Sequence, residues 1–395
     1  MRVALYLLLF LPVLHAQWKP LFNGRDLKGW HQCNGKASYR VENNEIVGST
    51  VAGSPNSFLC TDREYGDFIL EFETKNDPAL NSGVQIRSHQ YAVETEVMTV
   101  NRGVRRVKHP AGRVHGYQVE VSNEQGGASG GVYDEARRGW LHQTHCGGYK
   151  DNQWNKYRVE ARGDSIKTWV NEAACADLVD SMDLTGFLAL QVHAFQGPHP
   201  TEVRWRNIRI EDLGKSQWKP FPGRWSHTGG GKVEKQKDGS YRLSAEASKK
   251  EQRGFYLSDR ELEDFTFRLR YKITRGNSGV FYRMGDPDLR GELGYEIEVD
   301  ATRDLGGFQA PGTRGWLQHT SDGMFKDHFR AGDWNEMIIS AHGRRHVIHV
   351  NGIKTADFPD DPGRSKGKVA LQLNTRQDLE VFYKDIEILE TPRKK

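Results

Sequence analysis

Short stretches in which apolar and polar residues alternate run through most of the chain, a pattern typical of β-strands with one buried face. Phe68–Glu73 and Tyr117–Val121 alternate in this way, and turn residues such as Gly163-Asp164 separate one stretch from the next. The remaining predicted strands of the first half span 84–87, 157–160, 166–170, 188–193 and 203–210. Many short strands separated by turns predict an all-β fold of the sandwich type.

Motifs of the first half return in the same order in the second half, which identifies two copies of one unit. The matching pairs are Asn81-Ser-Gly-Val and Asn277-Ser-Gly-Val, Gly116-Tyr-Gln-Val-Glu-Val and Gly294-Tyr-Glu-Ile-Glu-Val, and Arg138-Gly-Trp-Leu and Arg314-Gly-Trp-Leu. A chain of 395 residues also exceeds the roughly 250–300 residues that one hydrophobic core usually serves. The sequence therefore predicts two tandem β-sandwich domains, at 17–213 and 214–395.

The first copy is longer than the second because it carries an insertion between Ile86 and His115. The insertion includes a basic stretch from Asn101 to His109, and we expect it to form a surface loop. The linker between the copies, near Gly214, is very short. We therefore expect the two domains to pack together.

Residues 1–16 have the features of an export signal. Arg2 is followed by an apolar run over residues 4–14, and Ala16 is a small residue at the cleavage position. No other apolar stretch approaches membrane length. We expect a mature protein that begins near Gln17, is secreted or periplasmic, and does not associate with a membrane.

Charge and cysteine content narrow the possible partners. The formal net charge is only +4, without a basic block of any length, so nucleic acid is not the expected partner. The four cysteines all lie in the first half, and their spacings match no zinc pattern. Proximity in sequence favours the pairs Cys33 with Cys60 and Cys146 with Cys175, as disulfides or as inert thiols rather than as metal ligands.

Alternation also predicts a polar face. On three predicted strands the apolar residues point to one side, and amide, charged and imidazole side chains point to the other. The residues on this face are Gln85, Arg87, Gln118, Glu120, Gln191 and His193. Antiparallel sheets commonly leave one side solvated, which is the simpler interpretation. We favour a functional face, because this set of side chains suits the binding of polyols and the transfer of protons.

Three further residues are candidates for the same site. Tyr133 and Asp134 follow Gly131 in a segment expected to form a rim loop. Trp140 suits either stacking on a sugar ring or packing beneath a loop.

These motifs, taken in order, resemble a bacterial domain family known as 3-keto-disaccharide hydrolases, also described as 3-keto-glucoside 1,2-lyases and 3-keto-2-hydroxy-glucal hydratases. The resemblance covers copy one almost throughout. It rests on Leu21-Phe-Asn-Gly24, Leu27-Lys-Gly-Trp30, Asn81-Ser-Gly83 with Arg87, Tyr117-Gln-Val-Glu120, Gly131-Val-Tyr133, Trp154-Asn155, Val170-Asn171, Leu190-Gln191 and Arg206-Asn-Ile-Arg209. It implies concanavalin A-like jelly-roll sandwiches that bind their ligands on a concave sheet face.

The resemblance also implies a chemistry, in which a ketone at C3 of a sugar acidifies the proton at C2. A base removes that proton, the aglycone leaves C1, and water adds to the product, so the net reaction is hydrolysis. His193 and Glu120 are the candidate bases, and Arg87 is the candidate donor to the enolate oxygen. Gln118 and Gln191 would hold hydroxyl groups. No cofactor is expected, and the need for a divalent metal stays open.

Copy two departs from this pattern. It keeps Arg283, Glu298 and Gln372, but Asn374 replaces His193. We therefore expect it to be a poor enzyme that either binds glycan or serves as a structural partner.

The expected ligand of the whole chain is an oxidised glycoside or a glycan. The main alternative is a lectin-like protein without catalysis, and a third is a structural or adhesion pair. Glu120 has no clear carboxylate partner on its strand, so hydrolysis of unmodified glycans is less favoured.

Overall fold

The computed structural model describes residues 17–99, 105–122, 128–248, 253–288, 293–320 and 328–392, and the predicted export signal lies outside these ranges. The chain divides into two compact units. Domain 1 runs to Ser216 and includes the C-terminal residues from Thr391, and domain 2 is Gln217–Glu390. Across the described ranges, no helix is long and apolar enough to span a membrane.

Two antiparallel sheets form the described part of domain 1. In the back sheet the strand order is β15-β14-β13-β6-β17-β4-β3, with β1 also paired to β17, and in the front sheet it is β12-β11-β10-β7-β16-β5-β2. The strands are β1 (Lys19–Pro20), β2 (Trp30–Asn34), β3 (Ser38–Glu42), β4 (Glu45–Ser49), β5 (Ser57–Tyr65), β6 (Asp67–Asn76), β7 (Ser82–Gln90), β8 (Thr95–Thr99), β9 (Arg105–His109), β10 (Val114–Val121), β11 (Val132–Glu135), β12 (Gly139–His142), β13 (Asn155–Arg162), β14 (Ser165–Val170), β15 (Ala173–Val179), β16 (Gly186–Val192) and β17 (Glu202–Gly214).

Domain 2 repeats this architecture. Its back sheet has the order β20-β21-β32-β23-β28-β29-β30, with β18 paired to β32, and its front sheet has the order β19-β22-β31-β24-β25-β26-β27. The strands are β18 (Gln217–Pro220), β19 (Trp225–Thr228), β20 (Lys232–Lys235), β21 (Tyr241–Ala245), β22 (Gly254–Leu262), β23 (Phe265–Arg275), β24 (Asn277–Met284), β25 (Tyr295–Asp300), β26 (Phe308–Ala310), β27 (Gly315–Gln318), β28 (Asn335–His342), β29 (Arg345–Val350), β30 (Ile353–Phe358), β31 (Gly367–Leu373) and β32 (Leu379–Glu390).

Each domain has its own hydrophobic core between its two sheets. In domain 1, Leu70 and Val159 of the back sheet and Val84 and Val119 of the front sheet belong to one buried cluster. A separate cluster fills domain 2. The inward residues are those that alternation selects, since neighbours on a strand face opposite sides. The predicted fold, two tandem jelly-roll sandwiches, is thereby confirmed.

The insertion of domain 1 differs from the loop that we predicted. Its described residues form a two-stranded antiparallel sheet, in which β8 pairs with β9. Thr95, Val97 and Thr99 of β8 alternate with Glu96 and Met98, and the β-branched threonine and valine side chains favour a strand.

The four cysteines form two disulfides in domain 1. Cys33 pairs with Cys60 across a Cα–Cα distance of 6.0 Å, and Cys146 pairs with Cys175 across 4.9 Å. These are the pairs that proximity in sequence favours, and no cysteine is left free for metal binding.

Candidate functional site

Three adjacent strands of the front sheet form the floor of the candidate site in domain 1. β7 lies between β10 and β16, as the predicted polar face requires. The register sets Gln118 opposite Gln85. It also sets Gly83 opposite both Glu120 and Gln191. Directly opposed residues share one face of a sheet, so these polar side chains come together on the outer face of the front sheet.

A directional run of hydrogen bonds crosses this face. Ser88 Oγ donates to Gln85 Oε1 over 2.7 Å, and Gln85 Nε2 donates to Gln118 Oε1 over 2.7 Å. Gln118 Nε2 then donates to Glu120 Oε2 over 2.9 Å, and Asn81 Nδ2 donates to the other carboxylate oxygen. Each amide accepts at one end and donates at the other, which orients the run toward the carboxylate of Glu120.

Gln191 stands beside this run with both ends of its amide unused. Its side chain is fully buried, and neither Nε2 nor Oε1 has a hydrogen-bond partner among the described residues. A buried polar atom without a partner costs about 1–3 kcal/mol. A buried amide with a free donor and a free acceptor is therefore suited to a ligand that offers one of each.

His193 follows β16 directly and is half-buried. Its Nδ1 lies 2.7 Å from the carbonyl oxygen of Ala194. A carbonyl oxygen only accepts, so Nδ1 carries the proton and Nε2 of the neutral ring keeps its lone pair. Asn56 Oδ1 accepts a hydrogen bond of 2.9 Å from the amide of Ala194 and so fixes this segment.

Glu135 is a site residue that the sequence analysis missed. Asn56 Nδ2 donates to its Oε1 over 3.2 Å, and Arg113 forms an ion pair with the same oxygen. Burial raises the pKa of Glu135, and the charge of Arg113 and the hydrogen bond from Asn56 oppose this rise. The signal was available in the alternation of β11, since Glu135 lies two residues after Tyr133 and on the same side of the strand.

Tyr133 and Trp140 form an aromatic edge beside the floor. Tyr133 is opposite Gln118 on β10, and Trp140 is opposite Tyr133 on β12. The two rings meet edge to face, with centroids 5.3 Å apart. Of the two interpretations that we considered for Trp140, packing against neighbouring residues is the one observed, and its half-buried ring still borders the site.

Arg87 is not on this face, and the prediction that it shares the side of Gln85 is wrong. The ladder between β7 and β16 shifts register at this point, and Arg87 has a positive φ of 46°. This bulge turns the side chain inward. The guanidinium is fully buried, 2.9 Å from Asp67 Oδ1, and donates to the carbonyl oxygens of Gly66 and Gly163 over 2.8 Å and 2.7 Å.

Asp134 is also away from the face, and it lies on a strand rather than in the predicted rim loop. Its carboxylate is fully buried and receives hydrogen bonds from Arg137 Nε over 2.8 Å and from Arg138 Nε over 2.5 Å. Arg138 also bonds to Asp180 over 2.8 Å. Asp134 therefore belongs to a buried ion-pair network, because alternation sets it on the opposite side from Tyr133 and Glu135.

The corresponding face of domain 2 carries two carboxyl groups. Glu296 and Glu298 lie on β25, opposite Phe281 and Gly279 of β24. They occupy the positions of Gln118 and Glu120, so one amide of domain 1 has become an acid. Burial, with repulsion from Glu298, raises the pKa of Glu296 to about 8. Burial also raises the pKa of Glu298 to about 7, against hydrogen bonds from Asn277 and Gln309.

Gln372 of domain 2 differs from Gln191 in its bonding. Gln372 Nε2 donates to Glu296 Oε1 over 2.9 Å, while its buried Oε1 has no partner among the described residues. Asn374, at the position of His193, donates to Asn277 Oδ1 over 3.1 Å.

The third domain 2 candidate, Arg283, is as buried as Arg87 and has a φ of 48°. It donates to the backbone carbonyl oxygens of Glu263, Gly343 and Arg364. Arg283 is therefore absent from the face for the same reason as Arg87.

A glycine on the central strand makes room for the neighbouring polar side chain in both domains. A Cβ at Gly83 would lie 2.5 Å from Cδ of Gln118, and a Cβ at Gly279 would lie 2.2 Å from Oε1 of Glu296. Both distances are far below van der Waals contact, so any larger residue in place of the glycine would displace the polar side chain beside it.

A groove of about 580 Å³ lies on the other side of domain 1, on the outer face of the back sheet. Its carboxylates are already satisfied by arginine. Glu71 bonds to Arg158 over 2.9 Å and to Arg209 over 3.0 Å, and Glu73 bonds to Arg206 over 2.7 Å. Because its carboxylates already have arginine partners, this groove is a weaker candidate than the front-sheet face.

The comparison with protein families decides the classification of the chain. The model of the 3-keto-alpha-glucoside-1,2-lyase-like domain matches residues 17–211 and again residues 213–389. The chain belongs to this family. It contains two lyase-like domains, as the resemblance in sequence indicated. A comparison with curated protein sequences found no match.

Solved structures similar to the lyase-like domains include three bacterial proteins. A candidate glycosyl hydrolase from Parabacteroides distasonis is 18% identical, with 50% of this chain and 94% of that chain covered and a TM-score of 0.35. The carbohydrate-binding module CBM66 from Bacillus subtilis is 20% identical, with 40% and 92% covered and a TM-score of 0.32. A Bacillus subtilis protein of unknown function with a galectin-like fold is 10% identical, with 50% and 94% covered and a TM-score of 0.36.

The described residues of the lyase-like domains contain no group of three or more histidine, cysteine, aspartate or glutamate side chains arranged to hold a metal ion. The side chains on the domain 1 face offer an imidazole nitrogen, two carboxyl groups and a free amide.

Proposed function

We propose that domain 1 is an enzyme that cleaves 3-keto-glycosides by elimination followed by hydration. Membership of the lyase-like family supports this proposal, and so does a face that combines a proton acceptor, a buried acid and an unused amide. We further propose that the enzyme acts outside the cytoplasm, since the first sixteen residues resemble an export signal and the cysteines form disulfides.

The amide of Gln191 is the observation that carries the proposal. The substrate has a ketone at C3 beside a hydroxyl at C2, which means an acceptor next to a donor. Gln191 offers a free N–H and a free carbonyl oxygen at one buried position. Its N–H group stabilises the oxygen that becomes negative as the enolate forms, the role that the sequence analysis gave to Arg87.

His193 is the proposed base. The proton on Nδ1 is held by the carbonyl of Ala194, which leaves Nε2 to take the proton from C2. The electron pair of the broken C–H bond forms the enolate and then the C1–C2 double bond as the C1–oxygen bond breaks. Water adds across that double bond, with hydroxide at C1 and a proton at C2, and the free 3-keto sugar results.

Glu135 is the proposed acid for the departing oxygen. Burial raises the pKa of Glu135, against the opposing charge of its ion-pair partner Arg113, and Asn56 links it to the segment that holds His193. Glu120 is fixed by Asn81 and Gln118, and we assign it to the binding of a sugar hydroxyl.

Turnover of a 3-keto-glucoside and of its parent glucoside by the full-length chain tests the proposal. We expect cleavage of the keto form alone. Gln191→Leu should reduce that turnover about 100-fold, within the range for loss of one oxyanion donor, while the exposed Gln153→Leu control retains it. Binding without turnover would contradict the proposal and favour the lectin-like alternative.

A further inference from the structure

The buried glutamine on the front face of domain 2 leaves only its carbonyl oxygen without a partner among the described residues, whereas the equivalent glutamine of domain 1 leaves both ends of its amide without one. The difference follows from Glu296, which occupies the position of Gln118. Oε1 of Glu296 accepts a hydrogen bond from Nε2 of Gln372 over 2.9 Å. In domain 1 the equivalent Gln191 keeps its N–H group unused.

Two further amide nitrogens of the domain 2 face donate to a carboxyl group. Asn277 Nδ2 and Gln309 Nε2 both donate to the carboxylate of Glu298, the latter over 2.8 Å. The atom left without a partner among the described residues is Oε1 of Gln372, whose side chain is only 2% exposed. A buried carbonyl oxygen is satisfied by an O–H or N–H donor and not by a ketone.

An exposed tryptophan side chain lies at the border of this face. Trp316 on β27 is opposite Gln309 on β26, and Gln309 in turn is opposite Glu296. The indole is 39% exposed and stacks on His319, with ring centroids 4.4 Å apart. The equivalent Trp140 of domain 1 is half-buried against Tyr133. An exposed indole beside buried polar groups is suited to a pyranose ring, with one apolar face and a hydroxyl-bearing edge.

We infer that domain 2 carries a second sugar site, which binds the unoxidised, hydroxyl-bearing form of a pyranose and leaves it unchanged. Gln372 Oε1 accepts a hydroxyl of the sugar, and Trp316 covers its ring. Oxidation of that hydroxyl to a ketone removes the proton that the site needs. Asn374 replaces the imidazole, so the face lacks the base of domain 1.

The two sites then recognise two oxidation states of related sugars. Domain 2 holds the chain on the parent glycan, and domain 1 acts on sugar units that have become 3-keto-glycosides. The choice of glucosides as probes rests on the proposed function of domain 1, but the preference for hydroxyl over ketone rests on Gln372 alone.

The test measures sugar binding by the full-length chain that carries His193→Ala, so that keto sugars are not consumed. The probes are methyl α- and β-glucoside and their 3-keto derivatives, at concentrations up to roughly 10 mM, followed by ligand-observed NMR. Gln372→Leu should weaken binding of the parent glucosides about tenfold and change binding of the keto forms less than about twofold. Gln191→Leu should weaken binding of the keto forms about tenfold and change binding of the parent glucosides less than about twofold.

Trp316→Ala is the second variant, because an exposed indole is removed without disturbing the core. It too should weaken binding of the parent glucosides about tenfold. The inference would be overturned if the parent glucosides do not bind. It would also be overturned if Gln372→Leu and Trp316→Ala both bind them as tightly as the chain that carries His193→Ala alone. Equal loss of keto and parent binding in Gln372→Leu would overturn it as well. Absence of 3-keto-glucoside turnover by the unmodified chain would refute the proposed function and leave this result intact.

Discussion

Domains 1 and 2 share their strand order, their glycine beside the polar face and their buried arginine, but they differ in what that face can do. In domain 1 a run of amides ends on one carboxylate, and an imidazole nitrogen stays available. In domain 2 an acid replaces Gln118, and Asn374 replaces His193. The fold is thus conserved between the copies by its inward residues, while two outward substitutions change the chemistry of the polar face.

Replacement of His193 by asparagine, the residue at the equivalent position of domain 2, should have the largest effect on turnover. His193→Asn should lower turnover of a 3-keto-glucoside by about 100- to 10,000-fold, since it removes the proposed base. The exposed His145→Asn serves as the matched control and should keep its activity. Steady-state kinetics would decide, and a His193→Asn variant with unchanged kcat would exclude His193 as the base.

The two buried arginines should differ in their contribution to stability. Arg87→Met leaves the buried carboxylate of Asp67 without its partner and should cost about 3–5 kcal/mol of unfolding free energy. Arg283 is 3.8 Å from Asp264, whose side chain is 59% exposed, and otherwise bonds to carbonyl oxygens. Arg283→Met should therefore cost less, about 1–3 kcal/mol. Urea unfolding measures both, and equal losses would refute this assignment.

Gln118→Glu makes the domain 1 face resemble that of domain 2. The new carboxyl group can accept the N–H group of Gln191, as Glu296 accepts that of Gln372. Turnover of the 3-keto-glucoside should fall about tenfold through loss of one hydrogen bond to the ketone. Gln153→Glu, on the exposed surface of the same domain, should have no effect. An unchanged KM and kcat in Gln118→Glu would show that the N–H group of Gln191 is not used.

A gradual pH dependence of stability is a further expected difference between the domains. Folding raises the pKa of Glu296 to about 8 and that of Glu298 to about 7, so the folded state binds protons more tightly than the unfolded chain. The stability of domain 2 should therefore fall as pH rises from about 4.5 to about 8, and Glu296→Gln should flatten the decline. The midpoint of urea unfolding at several pH values measures this dependence. Pulse-labelled hydrogen exchange of β25 reports which part of the change belongs to domain 2. A domain 2 that gains stability over this range would contradict the assignment.

Much of this architecture could be predicted from the sequence, because period-two alternation fixes which residues face the core. The outward positions of Gln85, Gln118 and Gln191 follow from it, while the pairing of their three strands is seen in the structure. Alternation fails at Arg87, where a bulge with a positive φ reverses the side of the strand. A bulge is a property of strand pairing, and no single strand reveals it.

The chemistry of the site was less accessible to sequence reasoning. Asp134 lies on the buried side of β11 and Glu135 on the side of the polar face, a difference that follows from alternation only if the segment is a strand rather than a loop. The free ends of Gln191 and Gln372 depend on which neighbours take their N–H groups, and that depends on hydrogen bonds across strands. Such bonds require the three-dimensional register.

Exchange at C2 is the most direct test that domain 1 acts by proton abstraction. Cleavage of a 3-keto-glucoside in D₂O, followed by NMR of the product before the free 3-keto sugar exchanges its own C2 proton with the solvent, reports whether the enzyme has broken the C2–H bond. The account predicts deuterium at C2 of the released sugar, with loss of both cleavage and exchange in His193→Asn. Cleavage that leaves the original hydrogen at C2 would contradict it.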